Sequence, residues 1–152
     1  MITVTKLFTF DACHHLPHYE GACHNLHGHT YKLEVTVTGQ VITDKTNPKC
    51  GMIIDFKDLK KVVNEAVVDK YDHANLNDFF ENPTAEIMVE HIGVEIIKAL
   101  PKGVSLVSVK LWEKIDSGYA EFNPLMDSLV DRIGTLERLL KYADQDTLRS
   151  AT

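Results

Sequence analysis

No apolar run in the 152 residues approaches the roughly 20 that a membrane helix needs, so no membrane-spanning role is expected. The opening residues, MITVTKLFTFDAC, alternate polar with apolar side chains and lack the basic start and continuous apolar core of an export signal. Basic residues are outnumbered: 16 Lys and Arg stand against 22 Asp and Glu, a formal charge of −6. Nucleic-acid binding relies on basic surface to displace counterions from phosphates, so no nucleic-acid partner is expected. No Gly-rich nucleotide loop appears, and with it goes the usual cradle for a nicotinamide or flavin dinucleotide. Cysteine is sparse and odd in number, with Cys13, Cys23 and Cys50 the three present. Without an export signal such a set points to reduced thiols in a cytoplasmic setting. Hydrophobic content of 44% and charged content of 25% argue against a disordered chain, and the length suits one domain with a real core.

Histidine, by contrast, is concentrated. Six of the eight lie in residues 13–31, CHHLPHYEGACHNLHGHTY, with two of the three cysteines. Chemistry is sought there first, and the rest of the chain reads as its scaffold.

Polar and apolar residues alternate over 2–10, which predicts a first strand, with a bulge near Lys6 where Leu7 and Phe8 break parity. Over 29–41 the alternation is cleaner: Tyr31, Leu33, Val35 and Val37 share one face, and His27 and His29 share its parity. Residues 39–51 read as a loop. Leu59, Val62, Val63, Ala66 and Val67 follow helical spacing, with Asp55 or Asp58 able to cap the start. Residues 71–83 form a connection, and a second helix opens at Pro83 and Thr84 and runs to Leu100. A third strand is predicted over 104–115, with Val107, Val109, Leu111 and Glu113 on one face and Leu106, Lys110 and Trp112 on the other. A turn at 116–118 leads to a fourth strand over 119–122. This ββααββ order predicts an α+β fold, a four-stranded antiparallel sheet with two helices on one face. Residues 1–122 make the core domain, and the three- and four-residue spacing of Met126, Leu129, Val130, Ile133, Leu136 and Leu140 predicts a helical extension over 123–152. Open sheet edges in so small a domain favour oligomerisation by strand pairing.

On a strand, residues i and i+2 project to the same side, so His27 and His29 can converge on one point, with Gly28 allowing close approach between them. A metal ion is the natural occupant. A third imidazole from the first strand completes a set of neutral nitrogens that favours Zn2+ with an open position, the catalytic type of site. His14, His15 and His18 compete for that place, and spacing does not choose among them. Cys23, four residues before His27, is either a fourth ligand or a thiolate beside a cation, acting as base or nucleophile. Cys13 and Cys50 fit better as small hydrophobes. Asp72 beside His73 can orient the ring and relay protons. Glu113 is a carboxylate on an apolar strand face, and it calls for a partner such as the adjacent N–H donors of a flat heterocycle.

These residues stand in motifs that are specific when taken together: FDACHHLPH, C-x-x-x-HGH, GMIIDF, YDHANLN, ENPTAE and the strand ending in Glu113. Over residues 8–121 the chain resembles the 6-pyruvoyltetrahydropterin synthase and 6-carboxytetrahydropterin synthase family of the tunnelling fold. The short gap from Cys23 to His27 resembles the 6-carboxytetrahydropterin synthases of queuosine biosynthesis; biopterin-pathway enzymes carry a longer one. The resemblance implies His14, His27 and His29 as zinc ligands, Cys23 as catalytic thiol, Asp72 and His73 as its proton-relay partners and Glu113 as pterin anchor. It also implies 7,8-dihydroneopterin triphosphate as substrate, and 6-carboxy-5,6,7,8-tetrahydropterin, acetaldehyde and triphosphate as products. It further implies trimers that pair into homohexamers with active sites between subunits. The rival expectations are 6-pyruvoyltetrahydropterin synthase or another pterin side-chain lyase, and, from another class, a non-catalytic zinc-stabilised pterin-binding barrel.

Overall fold

The computed structural model describes residues 1–126. Four strands form one antiparallel sheet in the order β1-β2-β3-β4: β1 Thr3–His14, β2 His27–Gly39, β3 Val104–Trp112 and β4 Ala120–Phe122. Between β2 and β3 the chain makes two helices. Helix α1 starts at Phe56–Val63, continues through a π-helical turn at Asn64–Val68 and ends in Asp69–Tyr71. Helix α2 spans Ala85–Ala99. The expected α+β architecture is the one observed. The sequence reading of a helical extension falls, beyond residue 126, outside the described residues. Among the described residues no helix is long and apolar enough to cross a membrane.

Both helix starts follow from side-chain caps. Asp55 accepts from the Lys57 N–H at 2.7 Å, settling the choice between Asp55 and Asp58, whose carboxylate instead pairs with Lys49. Thr84 Oγ1 faces the Ile87 N–H at 3.4 Å, directly after Pro83. The core lies between the sheet and the helices. Tyr31, Leu33, Val35 and Val37 of β2 are 0% exposed, as are Leu59, Val63 and Val67 of α1 and Met88, Ile92 and Ile96 of α2. Each such side chain contributes about 1.5–3 kcal/mol by leaving water. The π turn adds a residue to α1, so both Val67 and Val68 turn inward, a detail that regular helical spacing does not anticipate. Gly93 of α2 has no side chain because Phe122 of β4 occupies its place; a Cβ there would stand 2.1 Å from the ring.

Four strand expectations are corrected. No bulge occurs at Lys6: it pairs with Val35 in an unbroken β1–β2 register, and Leu7 simply faces outward. The irregularity lies between β2 and β3 instead, where pairing passes from Thr36↔Ser108 to Val37↔Leu106. Val107 is the extra residue, so Leu106, expected on the outer face, is buried with Val109 and Leu111. β3 also ends at Trp112, three residues short of the expected 115. β1, in turn, runs four residues past the expected 10, because 11–14 pair with 27–30.

Candidate active site

That longer pairing builds the site. The register puts His14 opposite His27 and Ala12 opposite His29, and alternation directs all three imidazoles to the face that also carries Phe10 and Tyr31. The ring centroids form a near-regular triangle, with separations of 4.6, 4.8 and 5.1 Å. One ring nitrogen from each lies within 4.8 Å of the others. His15 and His18 are not in this set.

The tautomers follow from the neighbours. His14 Nδ1 lies 2.9 Å from the carbonyl of Pro83, and His27 Nδ1 lies 2.8 Å from that of Asn25. A carbonyl only accepts, so both Nδ1 atoms carry the proton and both Nε2 atoms present lone pairs. This backing of a ring by a carbonyl is how metal-binding histidines are oriented. His14 is 1% exposed, and its Nε2 is buried with no hydrogen-bond partner among the described residues. Such an orphan costs stability unless something fills it. Burial, and secondarily the neighbouring His14 and His27, lower the pKa of His29, which favours the neutral, ligating form. The set could hold a metal ion, and three neutral imidazoles suit zinc.

Cys23 sits in the short turn Ala22–His24, whose carbonyl oxygen at Cys23 accepts the Leu16 N–H at 2.8 Å. The thiol is half-buried and is not one of the groups clustered with the histidines.

Asp72 and His73 follow the end of α1. Asp72 Oδ1 accepts from His73 Nδ1 at 3.0 Å and from the Asp11 backbone N–H at 3.0 Å. The Asp11 N–H is the larger cause of the lowered Asp72 pKa, and His73 adds to it. His73 has φ of 62°, a left-handed conformation uncommon for residues other than glycine, and its own N–H donates to the Asp11 carbonyl at 2.6 Å. Residues 72–77 thereby line the outer edge of β1: Cys13 N–H donates to the Ala74 carbonyl, and His15 exchanges two bonds with the Asn77 side chain. Asp11, with Thr30 opposite it, projects from the face away from His14. His73 lines an open depression of about 450 Å³ together with Asp11, Cys13 and Thr30. Neither Asp72 nor His73 makes a hydrogen bond to the Cys23 thiol.

Glu113 lies one residue beyond β3. Extending the pairing of Lys32 with Trp112 places it opposite Tyr31. It is half-buried and has neither ion pair nor hydrogen bond in the described residues. Its charge adds to the burial that raises the Tyr31 pKa. The Tyr31 hydroxyl is itself buried without a hydrogen-bond partner among the described residues.

The sequence reading missed the Pro83 and Asn25 carbonyls, Asp11, Thr30 and the Tyr31 hydroxyl. Main-chain acceptors leave no mark in composition. Asp11 and Thr30 look like ordinary solvent-facing positions of two strands.

The sequence and the fold resemble those of known proteins. The model of the family described as 6-pyruvoyl tetrahydropterin synthase matches residues 3–124. The chain belongs to that family. It is 45% identical to a 6-carboxy-5,6,7,8-tetrahydropterin synthase of Haemophilus influenzae over 51% of this chain and 54% of that one. Over 86% of this chain and all of that protein, it is 35% identical to the enzyme of the same name from Synechocystis sp.. It is also 42% identical to a dihydroneopterin monophosphate aldolase of Pyrococcus furiosus, over 72% of this chain and 88% of the aldolase. Among solved structures, 6-pyruvoyl tetrahydropterin synthase of Caenorhabditis elegans superposes with a TM-score of 0.66 at 26% identity, over 80% of this chain and 94% of that one. Pterin side-chain lyase chemistry is thus supported for this family member by its relatives.

Proposed function

We propose that the protein is a zinc-dependent 6-carboxy-5,6,7,8-tetrahydropterin synthase of queuosine biosynthesis. It would convert 7,8-dihydroneopterin triphosphate and water to 6-carboxytetrahydropterin, acetaldehyde and triphosphate. The observation that carries this reading is the histidine triangle with two rings backed by carbonyls, joined to a thiol by the short C-x-x-x-HGH spacing.

His14, His27 and His29 hold zinc, which when bound supplies a Lewis acid that eases proton loss from the hydroxyl-bearing side chain of the substrate. The Cys23 thiolate removes a proton from that side chain. His73, its ring fixed by Asp72, gives and takes the protons that the internal redox shift requires. The unpartnered Glu113 carboxylate accepts the adjacent ring N–H and amino donors of the pterin, a bidentate match. The pterin ring is the electron sink, so the reaction needs no separate redox cofactor.

Within one chain the thiol and the dyad share no hydrogen bond, and the dyad sits on the outer edge of the sheet. We infer that a neighbouring copy supplies one half of each site, in a homohexamer built as a pair of trimers. Two sheet edges support this: β1 is open along its first residues and β4 is only three residues long. The core is residues 1–122, with 123–152 as an added assembly or packing segment, and a cytoplasmic location suits the reduced thiols.

The aldolase relative favours a second reading, retro-aldol cleavage that leaves a hydroxymethyl pterin and an aldehyde retaining the phosphate. Incubation of the metal-analysed protein with 7,8-dihydroneopterin triphosphate separates the two. Acetaldehyde with free triphosphate supports the synthase. A phosphorylated aldehyde supports the aldolase, and 6-pyruvoyltetrahydropterin without acetaldehyde overturns both.

A further inference from the structure

The His73 ring poses a problem of orientation. Its side chain is 78% exposed, so packing does not hold it, and its backbone stands in the left-handed region with φ of 62°. One hydrogen bond, to Asp72, leaves a solvent-facing imidazole free to swing about χ1 and χ2. The strand beside it supplies more. The Asp11 N–H grips the Asp72 carboxylate at 3.0 Å while the Asp11 carbonyl takes the His73 N–H at 2.6 Å, so one residue fixes both members of the dyad through its main chain. Its side chain is placed as well: the Thr30 hydroxyl donates to Asp11 Oδ1 at 2.5 Å from across the strand pair. An Asp11 carboxylate oxygen, an Asp72 carboxylate oxygen and a His73 ring nitrogen all lie within 4.8 Å of one another.

We propose that Asp11, braced by Thr30, is a positioning residue for the Asp72–His73 dyad. The main chain of Asp11 sets where the dyad stands. Its carboxylate provides a second acceptor that confines the His73 ring to the arc between two strand-anchored oxygens. This rests on the reading of Asp72 and His73 as the proton relay. It extends that reading to a polar pair on the sheet face opposite the metal triangle. Alanine or asparagine at position 11 keeps both main-chain groups, the N–H toward Asp72 and the carbonyl toward His73, so these substitutions isolate the carboxylate.

The test uses the zinc-loaded, assembled protein with 15N-labelled histidine, the His73 signals being assigned by their loss in His73→Gln. In Asp11→Ala the His73 ring signals shift and broaden in the substrate-free protein. With 7,8-dihydroneopterin triphosphate kcat falls about fivefold, the most an exposed ion pair is worth, while KM changes by less than about twofold. Asp11→Asn, which keeps an acceptor oxygen for both Thr30 and His73, restores kcat to within about twofold of the parent. Thr30→Val, which leaves the carboxylate unbraced, gives a smaller loss in kcat and the same broadening. Unchanged ring signals in Asp11→Ala overturn the proposal. So does a variant that loses zinc or melts early with kcat and KM both altered, since that is a purely structural role. If the parent protein turns over no dihydroneopterin phosphate, the functional reading fails, and the ring signals still decide the inference.

Discussion

The histidine triangle and the Asp72–His73 dyad approach the same end of strand β1 and are held by opposite means. His14 is buried, its tautomer is set by the Pro83 carbonyl, and its rim is completed by the two half-buried rings His27 and His29. His73 is solvent-facing, reaches its place through an uncommon backbone conformation, and is tied by bonds to a strand edge. The triangle is preorganised within one chain, its rings placed by the β1–β2 register and two of them backed by carbonyls. The dyad is mounted on an edge, where a second copy can be served. A rigid, self-contained half and an exposed, presented half would suit the proposed site between subunits.

Removing a ligand tests the first half and should give the largest effect. His27→Ala leaves two imidazoles, and zinc content measured after dialysis against a weak chelator should fall to near zero, with activity lower by at least about a thousandfold. If zinc is retained at full occupancy, the triangle is not the metal site. Cys23→Ala comes next and divides the thiol from the ligands: activity should drop by about a thousandfold with zinc still present. An empty metal site in that variant would make Cys23 a ligand and dissolve the distinction between the two halves. His73→Gln should cost about a hundredfold in kcat, with zinc content and melting temperature close to the parent. Mixing His27→Ala with His73→Gln subunits then asks whether one site draws on two chains. Recovered activity in the mixed oligomer is the expected result, and none would place both halves in one chain. A smaller effect concerns the scaffold. Gly93→Ala, which sets a Cβ 2.1 Å from the Phe122 ring, should destabilise the fold by about 1–3 kcal/mol in urea unfolding, with the metal stoichiometry unchanged.

The two halves also differ in how far residues alone announce them. The triangle was legible because a strand has period two, so the H-x-H spacing fixes a common face without any knowledge of the rest. Choosing His14 over His15 and His18 needed the register, which the family resemblance supplied and the pairing of His14 with His27 embodies. What orients the rings was invisible, since Pro83 and Asn25 act through carbonyls that every residue possesses. Asp72 and His73 could be singled out as neighbours, yet their seat on β1 could not, because a thirteen-residue connection has no periodicity from which to read its docking. The same limit misplaced Leu106: alternation was counted through Val107, and a bulge in a run of apolar residues leaves the composition unchanged.

The dyad's electrostatics give the smallest prediction, and its sign follows from the direction of one shift. The Asp72 carboxyl is held below the ordinary carboxylate range, chiefly by the Asp11 N–H and then by His73. A folded pKa below the unfolded one means that the contribution to stability is fully present above the unfolded value of about 3.9 and is lost as pH falls through the folded value. Asp72→Asn should therefore melt slightly below the parent at neutral pH, and the gap should close as acid is added below about pH 4. The group is solvent-facing, so salt should shrink the His73 part of the effect and leave the Asp11 part, which is a hydrogen bond to main chain, largely in place. A gap that vanishes at high salt and neutral pH would mean that the imidazole carries the shift. It would then be the ring that anchors the carboxylate, reversing the order of support from strand to Asp72 to His73 on which the edge-mounted half depends.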